Sequence, residues 1–177
     1  MGGPGPGLGG HCIPVDPHYL AWSAKHHKTG ARLINLASEI NESMPKYVVN
    51  KIVKALKQIL KPINGAKILI LGVAYKRDIS DTRESPAKII MQLLEERGSK
   101  VAYHDPYVPQ IKIENGNFQT SQELTVKLLK KSDCIVVITD HTCIDYQLVV
   151  DHSKIVVDTR NATSTIVKKS DSNIMKI

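Results

Sequence analysis

A cysteine and an aspartate lie four residues apart near the start of the chain, at Cys12 and Asp16, directly after a glycine-rich run. Asp16 followed by Pro17 is typical of a helix N-cap and first helical residue. The partial positive charge at such a helix N-terminus favours a nucleophilic thiolate over the thiol. On spacing alone, Cys12 is therefore either a catalytic nucleophile or a partly buried structural cysteine. Asp16 is either a helix cap or a group that orients water.

Six of the 11 glycines fall within the first ten residues, where Gly5, Gly7 and Gly10 form the pattern G-x-G-x-x-G. In dinucleotide-binding folds this pattern follows a strand and opens a helix, whereas here only four residues precede it. The match is therefore not a dinucleotide fingerprint. Glycines do allow positive φ and a close approach of backbone to a ligand, so we expect a ligand-contacting loop that leads into Cys12.

A second group of polar residues follows predicted strands. Lys76, Arg77 and Arg83 come after an apolar run at 67–72, and Arg160 comes after another run at 155–158. Because ligands of open α/β sheets bind at the carboxyl ends of the strands, these basic side chains indicate an anionic ligand there. The alternative is a solvated loop with internal salt bridges.

The elements that must position these residues fall into a helical part and an alternating part. A helical pattern runs over about 18–60, with apolar residues at three- and four-residue spacing between Val48 and Leu60. After a linker at 62–65, apolar runs predict strands at 67–72, 101–103, 134–139 and 155–158. Helices are predicted to begin at Ser85 and Ser121. This β-α-β order predicts an α/β fold with a parallel, Rossmann-like sheet.

Composition excludes several classes of protein. The net charge is +7, but the basic residues of the first third follow a helical spacing without stacking aromatics, so no nucleic-acid partner is expected. No apolar run approaches the roughly 20 residues of a membrane span and no export signal is visible, so we expect no membrane association and a cytoplasmic location. The three cysteines lack Cys-x-x-Cys spacing, which predicts neither a metal site nor a disulfide framework. Cys134 and Cys143 are predicted to be structural.

The order of motifs resembles that of the UDP-glucose/GDP-mannose dehydrogenase family. Residues 3–17 are similar to the family's catalytic cysteine motif, and residues 74–86 to a motif of its C-terminal domain. Tyr103–Pro106 and Asp158–Asn161 are similar to its later signatures. The form of the cysteine motif is most similar to the branch that oxidises UDP-N-acetylhexosamines, with UDP-N-acetylglucosamine as the expected substrate and a surface polysaccharide as the usual destination.

This resemblance implies an NAD-dependent oxidoreductase that converts C6 of a UDP-sugar from alcohol to carboxylate with two NAD+ and no metal. It implies that Cys12 is the nucleophile and that Asp16 assists water activation or proton transfer. The residues implied to contact the UDP-sugar are Gly5, Gly7, Leu8, Gly9, Tyr75, Lys76 and Arg160. Those implied to contact NAD are Cys12, Val15 and Arg83.

The resemblance also implies a division of the chain. Residues 1–17 form the catalytic-cysteine loop, 18–64 a central helical region through which the family forms homodimers, and 65–177 a Rossmann-like UDP-sugar-binding domain. The apolar stripe of the central helix could equally pack within one chain. The family's N-terminal NAD-binding domain is not in this sequence, so we expect the 177 residues alone to be inactive. The alternative is a stand-alone nucleotide-sugar-binding module without redox activity.

Overall fold

The computed structural model describes residues 5–113, 116–166 and 173–177 of the chain. Two helices come first, and strands alternating with shorter helices follow. The helices are α1 (Cys12–His26), α2 (Arg32–Gln58), α3 (Pro86–Glu96), α4 (Val126–Lys131) and α5 (Tyr146–His152). The strands are β1 (Lys67–Leu71), β2 (Lys100–His104), β3 (Gln110–Lys112), β4 (Phe118–Thr120), β5 (Cys134–Val137), β6 (Val156–Asp158) and β7 (Ile174–Lys176). Over the described ranges, no helix combines the length and apolar character that crossing a bilayer requires.

Five strands form one sheet in the order β2-β1-β5-β6-β7, and each neighbouring pair is parallel. In this register Leu69 of β1 lies opposite Ala102 of β2 and Ile135 of β5. Strands β3 and β4 form a separate antiparallel pair. The predicted Rossmann-like sheet is therefore confirmed, and the loops that follow β1, β5 and β6 leave it at the same edge.

Helices cover both faces of the sheet, because alternate side chains of a strand point to opposite faces. Ile68 and Ile70 of β1 lie in one apolar core with residues of α2 and α3. Leu69 and Leu71 lie in a second core with residues of α4 and α5. Burial on both faces explains why this strand is a continuous apolar run.

The apolar stripe in the second half of α2 belongs to the first of these cores. Its core residues are Val48, Val49, Ile52, Ala55 and Leu56, each at most 1% exposed. The alternative of packing within one chain therefore accounts for this part of the stripe, and a dimer contact cannot use these side chains. The exposed large apolar residues of the first half of α2 are Leu33, Leu36 and Ile40.

Helix α1 begins earlier than predicted. Cys12 is its first residue and Pro17 lies inside it, so the predicted N-cap role of Asp16 is wrong. Proline lacks the N–H that would bond to the carbonyl four residues earlier, here that of Ile13, yet the helix continues through it. Cys12 therefore lies in the first turn of the helix rather than one turn before it.

Of the two predicted helix starts, one is confirmed. Ser85 caps α3, which begins at Pro86 as expected. Ser121 does not cap a helix, because its hydroxyl accepts from the amide of Asp105 and donates to the carbonyl of the same residue. Thr125 caps α4 instead.

The remaining differences concern strand ends and short elements. Strand β5 stops at Val137, two residues before the predicted end, because the amides of Ile138 and Thr139 both turn to the carbonyl of Leu71. The elements β3, β4, α5 and β7 have three to seven residues each and were not predicted. Runs this short carry little periodic signal.

Candidate active site at the carboxyl edge of the sheet

The loop that follows β1, residues 72–85 and here called the β1 loop, forms the floor of the candidate site. At its start Gly72 has φ +79, and a Cβ there would collide with the backbone of Thr139. The amides of Val73 and Ala74 donate to one oxygen of Asp105 at 2.7 and 3.1 Å. The hydroxyl of Thr139 donates to the carbonyl of Ala74 at 2.5 Å. The first residues of the β1 loop are thus fixed by groups that follow β2 and β5.

The buried carboxylate of Asp105 is the centre of this arrangement. It also accepts from the amides of Tyr107 and Val108, and from Nε2 of His141 at 3.0 Å. Nδ1 of His141 accepts from the backbone N–H of Asp78, so Nε2 carries the proton. Burial alone would raise the pKa of Asp105, but the hydrogen bonds from His141 and the amides outweigh burial and lower the pKa. Asp105 is therefore an ionised anchor beneath the β1 loop.

The glycine loop, residues 5–10, lies directly on the β1 loop. A Cβ at Gly9 would lie 2.7 Å from the Cβ of Tyr75. Gly10 has φ +96, faces the ring of Tyr75, and donates its amide to the carbonyl of Arg83 at 3.0 Å. Because any side chain at these two positions would separate the loops, the glycines are needed for the contact that the structure has.

The two ends of the glycine loop contact other elements. A Cβ at Gly5 would lie 2.5 Å from a terminal nitrogen of Arg160. The amide of Leu8 donates to the side-chain oxygen of Asn41 in α2 at 2.7 Å. Pro45 lies inside α2 and has no N–H for the carbonyl of Asn41, so α2 departs from regular bonding where the loop reaches it. Asn41 is a positioning residue whose role the sequence did not suggest.

Cys12 is exposed where the glycine loop enters α1. Its Sγ lies 4.0 Å from Nδ1 of His11. Asp81 raises the pKa of the Arg83 guanidinium, and Cys12 is close enough to make a smaller contribution. Asp16 is exposed and lies four residues after Cys12, which on a helix is one turn further along the same face. The thiol thus has a cationic side chain and a carboxylate in its surroundings.

A carboxylate that the sequence analysis did not single out joins two of the basic residues. Asp140 pairs with Arg77 of the β1 loop and with Arg160 after β6. Its side chain is 7% exposed. The position of Asp140 just after an apolar run is the signal that could have identified it, because such positions reach the carboxyl edge of the sheet.

A groove of about 610 Å³ lies beside this edge, between α1, α2 and the start of α3. Gly7 and Leu8 form part of its wall, and Asn41 lies at its side. Val15 lies instead in a smaller hollow of about 450 Å³ next to Trp22. The groove brings an apolar surface close to the glycine loop.

The structure thus brings together two pairs of predicted site residues, Gly5 with Arg160 and Gly9 with Tyr75, and it bonds the amide of Gly10, two residues before Cys12, to the carbonyl of Arg83. Lys76 is exposed next to Tyr75, and Val15 lies away from these pairs in the second hollow. Among the residues with described positions, no three His, Cys, Asp or Glu side chains are grouped as metal ligands.

Sequence models of one protein family match two parts of the chain. The model described as the UDP-glucose/GDP-mannose dehydrogenase family, UDP binding domain, matches residues 69–165. The model of the central domain of the same family matches residues 2–43. The first match alone covers more than half of the chain.

Curated relatives and solved structures agree with these matches. The UDP-N-acetyl-D-mannosamine dehydrogenase of Methanococcus maripaludis is 39% identical over 138 residues, which are 78% of this chain and 29% of the relative. The NDP-N-acetyl-D-galactosaminuronic acid dehydrogenase of Ralstonia nicotianae is 33% identical over 165 residues, 91% of this chain and 36% of the relative. The structure of UDP-D-ManNAc dehydrogenase from Pyrococcus horikoshii has a TM-score of 0.76 at 29% identity and covers 97% of this chain and 38% of that one. The chain spans about a third of the length of these proteins.

Proposed function

The chain belongs to the UDP-glucose/GDP-mannose dehydrogenase family, and from that premise we propose that it forms the UDP-sugar site and carries the nucleophile of an NAD-dependent nucleotide-sugar 6-dehydrogenase. The reaction oxidises C6 of a UDP-N-acetylhexosamine from alcohol to carboxylate. The observation that carries the proposal is the packing of the glycine loop on the β1 loop, which holds Gly10, two residues before Cys12, against Tyr75 and Arg83.

Cys12 acts as the nucleophile in the second half of the reaction. Once C6 is an aldehyde, the thiolate sulfur adds to its carbon and the former carbonyl oxygen takes a proton, which gives a thiohemiacetal. Loss of a hydride from that carbon and of the hydroxyl proton gives a thioester. Water then cleaves the carbon–sulfur bond and releases the carboxylate and the thiol. In total, two hydrides leave the sugar, and one water supplies the second oxygen of the carboxylate.

Asp16 takes part in proton transfer during hydrolysis. Its exposed carboxylate, one turn along α1 from Cys12, accepts a proton from the water that attacks the thioester. A carboxylate on the same helix as the nucleophile keeps a constant separation from it. This assignment replaces the capping role, which the start of α1 at Cys12 excludes.

The UDP-sugar is held by groups from the two packed loops and from the loop after β6. The backbone and apolar groups that contact the UDP-sugar are assigned to Gly5, Gly7, Leu8 and Gly9. Its side-chain contacts are assigned to Tyr75, Lys76 and Arg160. The family model that matches this part of the chain is described as the UDP binding domain, which supports a uridine diphosphate ligand here.

NAD, when bound, supplies the hydride acceptor for both oxidations. Arg83 fits a contact with an anionic cofactor, because its side chain is 67% exposed and its carbonyl accepts from Gly10, two residues before Cys12. The β1 loop continues from Gly72 with Val73 and Ala74 rather than with further glycines, so it does not form a pyrophosphate-binding turn. We therefore assign Arg83, Val15 and Cys12 to one side of the cofactor, with the rest of its site in an NAD-binding domain.

The hexosamine is proposed from the names of the relatives. The sequence motif led us to expect UDP-N-acetylglucosamine, whereas the curated relatives with 36–39% identity over 78% of the chain are UDP-N-acetyl-D-mannosamine dehydrogenases. We therefore propose UDP-N-acetylmannosamine as the substrate. A comparison of kcat/KM for the two epimers and for UDP-glucose would test this, and a preference for UDP-N-acetylglucosamine would restore the earlier expectation.

We propose a homodimer that forms through the first half of α2, where large apolar side chains are exposed in the single chain. Leu33, Leu36 and Ile40 share one helix at three- and four-residue spacing and are exposed by 80%, 53% and 54%. Burial of such a stripe against a second copy removes apolar surface from water. Light scattering would then give a mass of about twice 19.6 kDa, and a mass of one chain would contradict the proposal.

The redox proposal is tested by counting NADH at 340 nm in an enzyme that contains this chain together with an NAD-binding domain. We expect two NADH for each UDP-N-acetylhexosamine consumed, and we expect Cys12→Ala to prevent that stoichiometry. Cys143→Ala is the matched control, because Cys143 is the other exposed cysteine among the described residues. Two NADH per sugar from the Cys12→Ala enzyme would contradict the assigned nucleophile.

The 177-residue chain alone separates the enzyme from the alternative of a binding module. We expect it to bind UDP but to produce no NADH when mixed with substrate and NAD+. NADH production by the chain alone would show that it needs no further domain. If the enzyme that also contains an NAD-binding domain produced none, the module without redox activity would be the better description.

A further inference from the structure

One carboxylate at the carboxyl edge of the sheet holds two arginines from different loops. Asp140 follows β5, and one of its oxygens accepts from a terminal nitrogen of Arg77 in the β1 loop. Its other oxygen accepts from Nε of Arg160, which follows β6, at 3.4 Å. Since β1, β5 and β6 are neighbours in the sheet, Asp140 joins the ends of three adjacent strands.

Arg160 is fixed at both of its ends. Its backbone amide donates to the carboxylate of Asp158 at 3.0 Å, and the same buried carboxylate also accepts from the amide and hydroxyl of Thr163. Its guanidinium pairs with Asp140 and lies against Gly5. The direction of this side chain is therefore set by the protein itself, before a ligand contributes.

The three charged groups leave positive charge facing outward. The side chain of Asp140 is 7% exposed, whereas those of Arg160 and Arg77 are 25% and 53% exposed. Each guanidinium has five N–H donors in a planar fork, and each gives only one nitrogen to Asp140. Within the described part of the chain, the other guanidinium nitrogens have no hydrogen-bond partner and are available to an anion.

A buried phenol lies in the surroundings of the same charged cluster. The hydroxyl of Tyr146 is buried and, among the described residues, finds no hydrogen-bond partner. Burial raises the pKa of Tyr146, and the nearby charges of Asp140 and Asp158 raise it further, so the hydroxyl remains a donor. A buried donor without a partner is costly to the fold. The charges of both Asp140 and Arg77 act on Tyr146, so this unsatisfied hydroxyl lies in the surroundings of the same cluster.

We propose that Asp140 is a positioning residue, which holds Arg77 and Arg160 side by side so that their forks together bind the diphosphate of the nucleotide sugar. The inference rests on the proposed function for the identity of the ligand, and it adds Arg77 and Asp140 to the site. Planar guanidinium groups bind phosphate oxygens in pairs of parallel hydrogen bonds. The negative charge of Asp140 offsets the repulsion between the two cations that this arrangement requires.

Two explanations, electrostatic attraction alone and positioning of the arginines, predict opposite changes in diphosphate affinity when Asp140 loses its charge. Asp140→Asn makes the edge more positive, so electrostatic attraction alone would strengthen the binding of a diphosphate. Positioning predicts the reverse, because the two arginines then repel each other and the ligand must order them when it binds. The sign of the change in affinity therefore separates the two.

The test is isothermal titration calorimetry of the 177-residue chain with UDP. We expect Asp140→Asn to weaken UDP binding by about tenfold, and Asp140→Glu to recover part of the loss. Asp133→Asn is the matched control, because Asp133 lies at the opposite end of β5, has a side chain 10% exposed and also pairs with two basic residues. This control makes the same change in charge and should keep UDP affinity within about twofold.

Arg77→Gln gives a second test at an exposed position, where the substitution leaves the core intact. We expect it to weaken UDP binding by about three- to tenfold, and combined with Asp140→Asn it should cost less than the sum of the two changes. If Asp140→Asn or Arg77→Gln binds UDP as tightly as the wild-type chain, the positioning role is overturned. The proposed function then stands. Wild-type chain that binds no UDP would overturn both.

Discussion

The two ends of strand β5 carry the same arrangement, one nearly buried carboxylate with two basic side chains. Asp133, just before the strand, bonds to Lys154 at 2.8 Å and lies 3.7 Å from Lys61. Asp140, after the strand, pairs with Arg77 and Arg160. Because burial and the number of partners are similar, any difference in role comes from the kind of partner and from the surrounding backbone.

At the amino end the carboxylate serves the fold. Asp133 also accepts the backbone N–H of Lys67, the first residue of β1, at 2.9 Å. It therefore ties the start of β1 to the start of β5. A lysine ammonium is a compact charge on a flexible stem, which satisfies a carboxylate without fixing a direction for a ligand.

At the carboxyl end the same kind of cluster is the proposed ligand site. The partners are arginines on two loops, and the glycine loop lies against one of them. Their planar forks keep free donors in fixed directions. We infer that a charged cluster suits ligand binding when it leaves oriented donors at a sheet edge, and serves the fold when its donors are satisfied within the chain.

The largest difference in stability is expected from paired substitutions at the two ends. Asp133→Asn should lower the free energy of unfolding by about 2 kcal/mol, because it removes a charge that two lysines and a backbone amide satisfy. Asp140→Asn should lower it by less than about 1 kcal/mol, since the side chain of Arg77 is 53% exposed and can turn to water. Urea unfolding followed by circular dichroism measures both. Equal losses would contradict the division between fold and ligand.

Acid sensitivity sharpens the same comparison. Burial alone would raise the pKa of Asp133, but the hydrogen bonds from Lys154 and the Lys67 amide and the charge of Lys61 outweigh it and lower the pKa. The stability from this group is therefore present above the unfolded-state pKa of about 3.9 and is lost as pH falls through the lower folded-state value. Wild-type chain should lose more stability than Asp133→Asn between about pH 5 and pH 2. Parallel stability curves for the two proteins would exclude this contribution.

The smallest expected effect concerns Tyr146, beside the carboxyl end. Tyr146→Phe removes a buried hydroxyl that lacks a partner among the described residues. The unliganded chain should therefore gain about 1 kcal/mol of stability or somewhat less. Thermal unfolding without ligand measures the change, and a loss of stability would indicate that this hydroxyl has a favourable contact in the free chain.

Continuous apolar runs and local capping signals were enough to predict the main elements. Because Ile68 and Leu69 are buried on opposite faces of the sheet, β1 is a continuous apolar run and can be predicted from the sequence. Ser85 followed by Pro86 marks the start of α3. The same kind of local signal failed at Asp16 and Pro17, because helix α1 starts at Cys12 and continues through the proline. A capping pattern reports a local preference, which the rest of the fold can override.

The candidate site was predictable only in part. The basic residues after β1 and β6 could be placed at one edge, because parallel strands bring their carboxyl ends together. The carboxylate that joins them could not, since the importance of Asp140 depends on Arg77 and Arg160, which lie 63 and 20 residues away in the chain. Asn41 was hidden for the same reason, because its partner Leu8 is 33 residues away.

UDP is proposed to bind at the carboxyl edge of this sheet. A titration of the ¹⁵N-labelled 177-residue chain with UDP, followed by two-dimensional NMR, tests this binding site most directly. We predict saturable shifts in the glycine loop, in residues 75–77 and around Arg160, with little change at Lys61, Asp133 and Lys154. Shifts confined to the amino edge, or no saturable shifts, would contradict the claim.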